Sequence, residues 1–338
     1  MVLKFAIVGC GHIARKHALA ILENSDARLL GICDKDTSKL EEFYSDFHAE
    51  KYTSFQEMLN NKEIDVINIC TPSGTHAALA IQAAEAKKHI ILEKPMALTL
   101  EDADAIIHAC KKHDVKLSVV HPNRFRPAIL ELKKAIDENK FGLINLVNAT
   151  VLWNRSEEYY SQANWRGTKD QDGGVLMNQA IHNLDLLLWL VGEVVEVQAY
   201  LDTRLRNIEA EDLATAIIKF RNGALGVIEA TSTIFPTNYK ESISIFGEFG
   251  SAVISGPTAN WIDHWEFKGE TKEQSQSIIE KISQDPYGLS GHHLLVQDMI
   301  DSIKLNKTPA VTGEDGRKAL ELVLALYKAA DQRKTYKL

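Results

Sequence analysis

Residues 4–22 read KFAIVGCGHIARKHALAIL: a short apolar run, a glycine turn, then helix-patterned residues to about Leu22. Gly9-Cys10-Gly11-His12-Ile13-Ala14 is a GxGxxA turn between strand and helix. The first glycine permits the tight turn, the second lets a pyrophosphate approach the backbone, and the small Ala14 lets helix and strand pack closely. The N-terminus of the helix then faces the phosphates. A glycine turn can also merely join two elements. Here Asp34 ends the next apolar run, ARLLGICD, where a carboxylate accepts hydrogen bonds from a ribose. Its charge disfavours a ribose 2′-phosphate, an effect that Lys35 beside it softens, so NAD is favoured over NADP.

Working outward, KFAIV, ARLLGICD, DVINIC, HIILEK and VKLSVV alternate with helical segments up to about Val120, the grammar of a doubly wound parallel sheet. The helix before VKLSVV has a legible start, Thr99 preceding Glu101 and Asp102, and Lys111 and Lys112 suit its far end. After His121 a helix from about Pro127 to Asn139 is closed by Gly142. Longer alternating strands follow: INLVNATVLW, EVQAYLDTRL, LATAIIKF and ALGVIEATSTI. One helical piece, VLMNQAIHNLDLLLWLVG, interrupts them, and two helices, about His292 to Leu305 and Glu314 to Arg333, close the chain. The expectation is an α/β protein: an N-terminal Rossmann domain over residues 1–122, then an α+β domain over 123–338 with a large, mostly antiparallel sheet, the last helices packing back on the first domain.

The chain has 338 residues, 45% hydrophobic and 25% charged, a soluble globular composition with ample core. With 38 basic against 46 acidic residues, its net charge of -8 argues against a polyanion-coating surface, so no nucleic-acid partner is expected. Cys10, Cys33, Cys70 and Cys110 form no CxxC pair and no zinc spacing, and read as buried thiols; no metal is expected. The first apolar run is too short for a signal segment, and nothing approaches the ~18 to 20 apolar residues of a membrane span. These features point to a cytoplasmic protein without a membrane partner.

Two further loops fall at the carboxyl ends of strands, where open α/β sheets bind ligands. Thr71-Pro72-Ser73-Gly74-Thr75-His76 follows DVINIC, and Glu93-Lys94-Pro95 follows HIIL. Either is also readable as a simple turn, and His76 as a capping histidine. His182, inside a leucine-rich amphipathic helix, reads on pattern alone as a core histidine.

Taken together, GCGHIA, TPSGTHA, EKPMA, NRF at 123–125 and DGGVLMNQAIHNLD resemble, in order and over nearly the whole chain, the Gfo/Idh/MocA family of sugar and cyclitol dehydrogenases. The resemblance implies a cofactor set of Gly9, Gly11, His12, Ile13, Asp34, Thr71, Pro72, Ser73, His76, Glu93, Lys94, Pro95 and Asn123. It also implies that Lys94 lies beside nicotinamide and substrate hydroxyl, that a cis peptide precedes Pro95, and that His182 is the acid/base. An imidazole of pKa near ~6.5 suits removal of a hydroxyl proton near neutral pH, and an ammonium stabilises the alkoxide that develops. Asp185 shares a helix face with His182 and reads either as support for the ring or Lys94 or as a structural pair. Where many members carry an aspartate four residues before the histidine, this chain has Asn178, followed by Gln179; an amide takes up no proton but holds sugar hydroxyls.

The helix variant, with WNRSEEYY, NWRGT and NGALGVIEATS, is similar to the family branch that oxidises C3 of UDP-N-acetylglucosaminuronate for surface-polysaccharide diamino sugars. Such a substrate carries roughly three negative charges, so local cations must meet it. Candidates are Arg124 with Asn123, Arg155, Tyr159 and Arg166, joined by Lys94, Asn178, Gln179 and His182; Trp153 and Trp165 read as packing. Two alternatives stay open: oxidation of a simpler polyol, and a noncatalytic dinucleotide sensor, against which Lys94 and His182 argue. The family usually forms homodimers or homotetramers through its sheet face.

Overall fold

The computed structural model describes residues 2–338, which divide into two compact units: the chain up to Pro122 with Leu289–Arg317, and Asn123–Gly288 with Lys318–Leu338. The first contains β1 (Leu3–Val8), α1 (His12–Leu22), β2 (Ala27–Cys33), α2 (Thr37–Phe47), β3 (Glu50–Tyr52), α3 (Phe55–Asn60), β4 (Val66–Ile69), α4 (His76–Glu85), β5 (His89–Leu92), α5 (Leu100–Lys112) and β6 (Leu117–Val119). The strands form one sheet in the order β3-β2-β1-β4-β5-β6, every pairing parallel. Helices cover both faces, so the central strands are apolar on both sides and almost wholly buried. Five of these strands are the five apolar runs. The sixth, β3, is an addition: Glu-Lys-Tyr is a short, exposed edge strand with no apolar alternation. Thr99 caps α5 as expected, accepting from the Asp102 N–H at 3.1 Å.

The second unit contains α6 (Pro127–Asp137), β7 (Ile144–Leu152), α7 (Glu157–Ser161), α8 (Ile181–Val191), β8 (Val194–Asp202), β9 (Leu213–Phe220), β10 (Leu225–Thr231), β11 (Lys240–Gly247), β12 (Gly250–Ser255), β13 (Trp261–Phe267) and α9 (Lys272–Gln284). The chain then returns to the first unit with α10 (Gly291–Lys304). The long α11 (Gly313–Gln332) begins there, and its residues from Lys318 onward, with β14 (Tyr336–Lys337), belong to the second. The second sheet runs β13-β12-β11-β7-β10-β9-β8-β14, antiparallel except where β7 meets β10. Alternation sorts its faces: Ala214, Ala216, Ile218 and Phe220 of β9 are buried, while Tyr200, Ile217, Leu225 and Val227 lie on exposed positions.

The helical piece expected over VLMNQAIHNLDLLLWLVG is two structures in series. Leu176–Ala180 is a π-helical turn, α8 continues from it, and Gly192 ends it at φ +115°. Glu211 sits against the start of this turn. A Cβ on Gly174 would lie 2.1 Å from Glu211 Oε2, so only glycine lets the carboxylate in. Once there, Glu211 Oε1 accepts from the Leu176 N–H at 2.9 Å and the Tyr327 hydroxyl at 3.1 Å. Asp185, on the buried side of α8, takes a two-pronged bond from Arg124, Nε to Oδ2 at 2.7 Å and Nη2 to Oδ1 at 2.6 Å, with both side chains buried.

Two outcomes follow for stability. Removing one partner of a buried ion pair strands the other, so Asp185→Ala should cost about 3–5 kcal/mol in a denaturant titration. Burial pushes the Glu211 carboxyl up from 4.5 to about 7, against the pull of its donors. Between those values the folded protein holds a proton that the unfolded chain releases. That contribution is therefore whole below about pH 4.5 and is lost as the pH rises through about 7. Melting temperature followed across this window should fall with rising pH, and Glu211→Gln should flatten the dependence.

Candidate active site

In the first unit the order of strands reverses between β1 and β4, and the loops at their carboxyl ends flank the crevice where such sheets bind ligands. Gly9 stands at φ +91°, and a Cβ there would meet the Cys70 carbonyl oxygen at 2.7 Å and Thr71 Cγ2 at 2.9 Å. Gly11, the N-cap of α1, differs: a Cβ on it would meet no protein atom within 4 Å. The protein itself leaves open the space that a pyrophosphate needs, at the positive end of an 11-residue helix. Asp34 is held in place by backbone, accepting from the Cys10 N–H at 2.8 Å and the Asp36 N–H at 2.9 Å. Each of its oxygens keeps lone pairs for a ribose. His12 and Ile13 lie on the first turn of α1, His12 exposed and Ile13 half-buried. These residues fit a dinucleotide.

Beyond the crevice, Thr71 and Pro72 remain half-exposed while Ser73 is buried. His76 is buried between the two loops. It is 1% exposed, with Nδ1 2.8 Å from the Pro95 carbonyl and Nε2 2.9 Å from the Thr71 carbonyl. It spans the two loops, against the Thr71 and Pro95 carbonyls. Burial lowers its pKa below the ordinary histidine value, against the pull of both carbonyls. The Lys94–Pro95 peptide is cis.

Glu93 is buried, as is Pro95, while Lys94 between them is half-buried. Its Oε1 lies 2.9 Å from His17 Nε2 and 3.8 Å from His292 Nε2, and its Oε2 accepts from the Lys94 N–H at 3.1 Å. Burial pushes the carboxyl up, yet the two histidines outweigh it and hold Glu93 well below the usual range. Three ligand-type atoms this close raise the question of a metal. Donors at about 2.0–2.2 Å on a tetrahedral ion stand roughly 3.3 Å apart, so the 2.9 Å contact between His17 and Glu93 is a direct hydrogen bond. Sequence reasoning missed both histidines. One signal was available: His17 shares the apolar face of α1 with Ala14, Ala18 and Ile21.

In the second unit, Asn178 and His182 are one turn apart along the π-turn and α8. They are the half-exposed residues in a stretch, 172–187, that is otherwise buried. His182 is thus not a core histidine. Asn178 donates to the buried Asp172, whose other oxygen accepts from the Gly167 N–H at 2.8 Å. Gln179 is buried. Arg124, 4% exposed, donates to Asp185 and lies 5.2 Å from the Trp189 ring centroid. Asn123, also 4% exposed, donates to Glu241 Oε1 at 2.9 Å. Asp185 thus has a structural pair in Arg124.

Arg155, Tyr159 and Arg166, scattered over one connection, are brought together. The guanidinium of Arg166 lies 4.3 Å from the Tyr159 ring and 4.8 Å from the Trp165 ring, and that of Arg155 lies 4.8 Å from Trp153 and 5.2 Å from Tyr159. The two tryptophans are therefore stacking partners of cations, not mere packing.

Comparison with known proteins agrees with this anatomy. Residues 3–121 match the model of an oxidoreductase family with an NAD-binding Rossmann fold, and 129–253 match a GFO/IDH/MocA C-terminal domain. The solved WlbA dehydrogenase from Chromobacterium violaceum, in complex with NADH and UDP-GlcNAcA, is 39% identical over 100% of this chain and 96% of its own, with a TM-score of 0.94. The Bordetella pertussis WlbA dehydrogenase, in a complex of the same composition, is 37% identical over 100% and 98%, also at 0.94. Myo-inositol 2-dehydrogenase of Thermotoga maritima is 27% identical over 99% of this chain and 98% of its own. The glycine turn, the cradled Asp34 and these matches together establish that the chain belongs to the Gfo/Idh/MocA family, as an NAD-dependent oxidoreductase of sugar or polyol CH–OH groups.

Proposed function

We propose that this protein oxidises the C3 hydroxyl of a UDP-linked N-acetylglucosaminuronic acid to the 3-keto sugar, on the way to diamino sugars of bacterial surface polysaccharides. The observation that carries the reading is the identity gradient. It stands at 37–39% over the whole chain toward the two dehydrogenases solved with UDP-GlcNAcA, against 25–27% toward inositol dehydrogenases.

NAD, when bound, supplies the hydride acceptor; Gly9, Gly11 and Asp34 would hold it. His182 takes the hydroxyl proton, because an imidazole near neutral pH both accepts and releases one. Lys94 stabilises the negative charge that develops on the oxygen. Asn178, fixed by Asp172, cannot share the base's work but can hold a sugar hydroxyl. Arg155 and Arg166, held within cation–π distance of aromatic rings, offer guanidinium groups to the anionic groups of the substrate, Arg155 with one nitrogen also donating to the Asn154 carbonyl and Asn238 Oδ1. The homo-oligomer forms, on this reading, through the exposed sheet face of Tyr200, Ile217, Leu225 and Val227.

Single-turnover NADH formation should appear with UDP-N-acetylglucosaminuronate and not with UDP-N-acetylglucosamine, myo-inositol or glucose 6-phosphate; signal with myo-inositol would replace this substrate by a polyol. Lys94→Met should abolish oxidation while NAD affinity is nearly kept. His182→Asn should lower the rate on the order of a hundredfold to ten-thousandfold and flatten its pH profile, whereas full activity across pH would remove His182 as base. Ile217→Lys with Val227→Lys should shift the sedimentation coefficient to that of a monomer.

A further inference from the structure

We propose that His17 and His292 are positioning residues for Lys94, acting through Glu93. The inference rests on the dehydrogenase reading only in giving Lys94 its task; the linkage itself lies within the first unit. A carboxylate at the end of a buried strand stays charged only if donors surround it. Glu93, 6% exposed, has them on both oxygens: the His17 imidazole at Oε1 and the Lys94 N–H at Oε2, with His292 Nε2 facing Oε1 from 3.8 Å, beyond direct hydrogen-bond reach.

The imidazoles are themselves fixed from separate elements. The Asn68 amide on β4 stands 2.8 Å from His17 Nδ1, which leaves the His17 Nε2–H to donate to Glu93. His292 comes from α10, after the whole intervening stretch of the second unit, and meets the His17 ring edge-on at 5.2 Å. The same helix is tied to the turn after α1 by its next residue, with His293 Nδ1 3.3 Å from Asn24 Nδ2. Four elements, α1, β4, β5 and α10, thus converge on one carboxylate whose remaining oxygen holds the backbone of Lys94. An ammonium that must sit within a fraction of an ångström of a reacting oxygen needs such a rigid base, since small misplacements cost rate steeply.

The test compares His292→Phe, which keeps the ring against His17 but removes the polar nitrogen that faces Oε1 from 3.8 Å, with His292→Gln, which keeps a polar N–H on that side. Three readouts are taken on the full chain: exchange of the Lys94 amide, NADH affinity, and single-turnover rate. His292→Phe should speed Lys94 amide exchange about tenfold and slow turnover about ten- to hundredfold, with KM and NADH affinity within about threefold. His292→Gln should recover most of both. Should His292→Phe fail to fold, Glu93→Gln, which loses the charge that both imidazoles face, is expected to loosen the same amide. Unchanged Lys94 exchange, or equal losses in the Phe and Gln variants, would overturn the assignment. A wild-type protein silent toward every sugar would sink the substrate reading alone, because amide exchange still decides this one.

Discussion

The carbonyl oxygen of Cys70 occupies the place that any side chain at position 9 would need. Much follows from that close approach. It forces glycine and a positive φ at the end of β1, which turns the chain so sharply that the next N–H, that of Cys10, reaches the carboxylate of Asp34 across β2. The same turn starts α1 at once, with the open space of Gly11 at its N-terminus. One packing constraint between neighbouring parallel strands therefore sets the phosphate end, the ribose carboxylate and the direction of the helix together. It also puts His17 on the buried side of α1, where it meets the end of β5.

An acidic chain buries several of its carboxylates, and their different surroundings give them different work. Glu93 is kept ionised by imidazoles and fastens a loop. Glu241 is fully buried and meets Asn123 and Arg126, yet burial prevails and raises its pKa. Glu211, with only backbone and a tyrosine for donors, is pushed up to about 7 and holds the start of the π-turn ahead of His182. The common rule is that burial disfavours the charge and each donor returns part of the cost. Each carboxylate stands beside a motif that carries chemistry, so local rigidity is obtained from polar groups as much as from apolar packing.

Much of this was legible in the sequence, because apolar runs and glycine turns are local signals. β3 was not, since an exposed three-residue edge strand has no hydrophobic period to read. The π-turn was read as ordinary helix because the residue that holds its start, Glu211, lies beyond β8. The burial of Arg124 and Asn123 was not legible either, because a charged motif in a loop looks exposed. Their partners, Asp185 and Glu241, lie far along the chain, and only the fold brings them together. His292 was invisible for the same reason: its meaning depends on α10 returning to the first unit.

The net charge of -8 and the proposal of an anionic substrate are compatible because of distance and stacking. At physiological salt, charges more than about 8 Å away are largely screened, so the few cations at the site outweigh the acidic surface. A free arginine would lose side-chain entropy on binding a carboxylate or phosphate. Arg155 and Arg166 have already given up much of that freedom, because each guanidinium lies within 5.2 Å of two aromatic ring centroids, and Arg155 also donates to the Asn154 carbonyl and Asn238 Oδ1. The N–H groups not so engaged suit a planar or tetrahedral oxyanion. Lysine in either place would keep the charge and lose this preorganisation, which is why the aromatic residues of this connection belong to the electrostatics of the site as much as the arginines do.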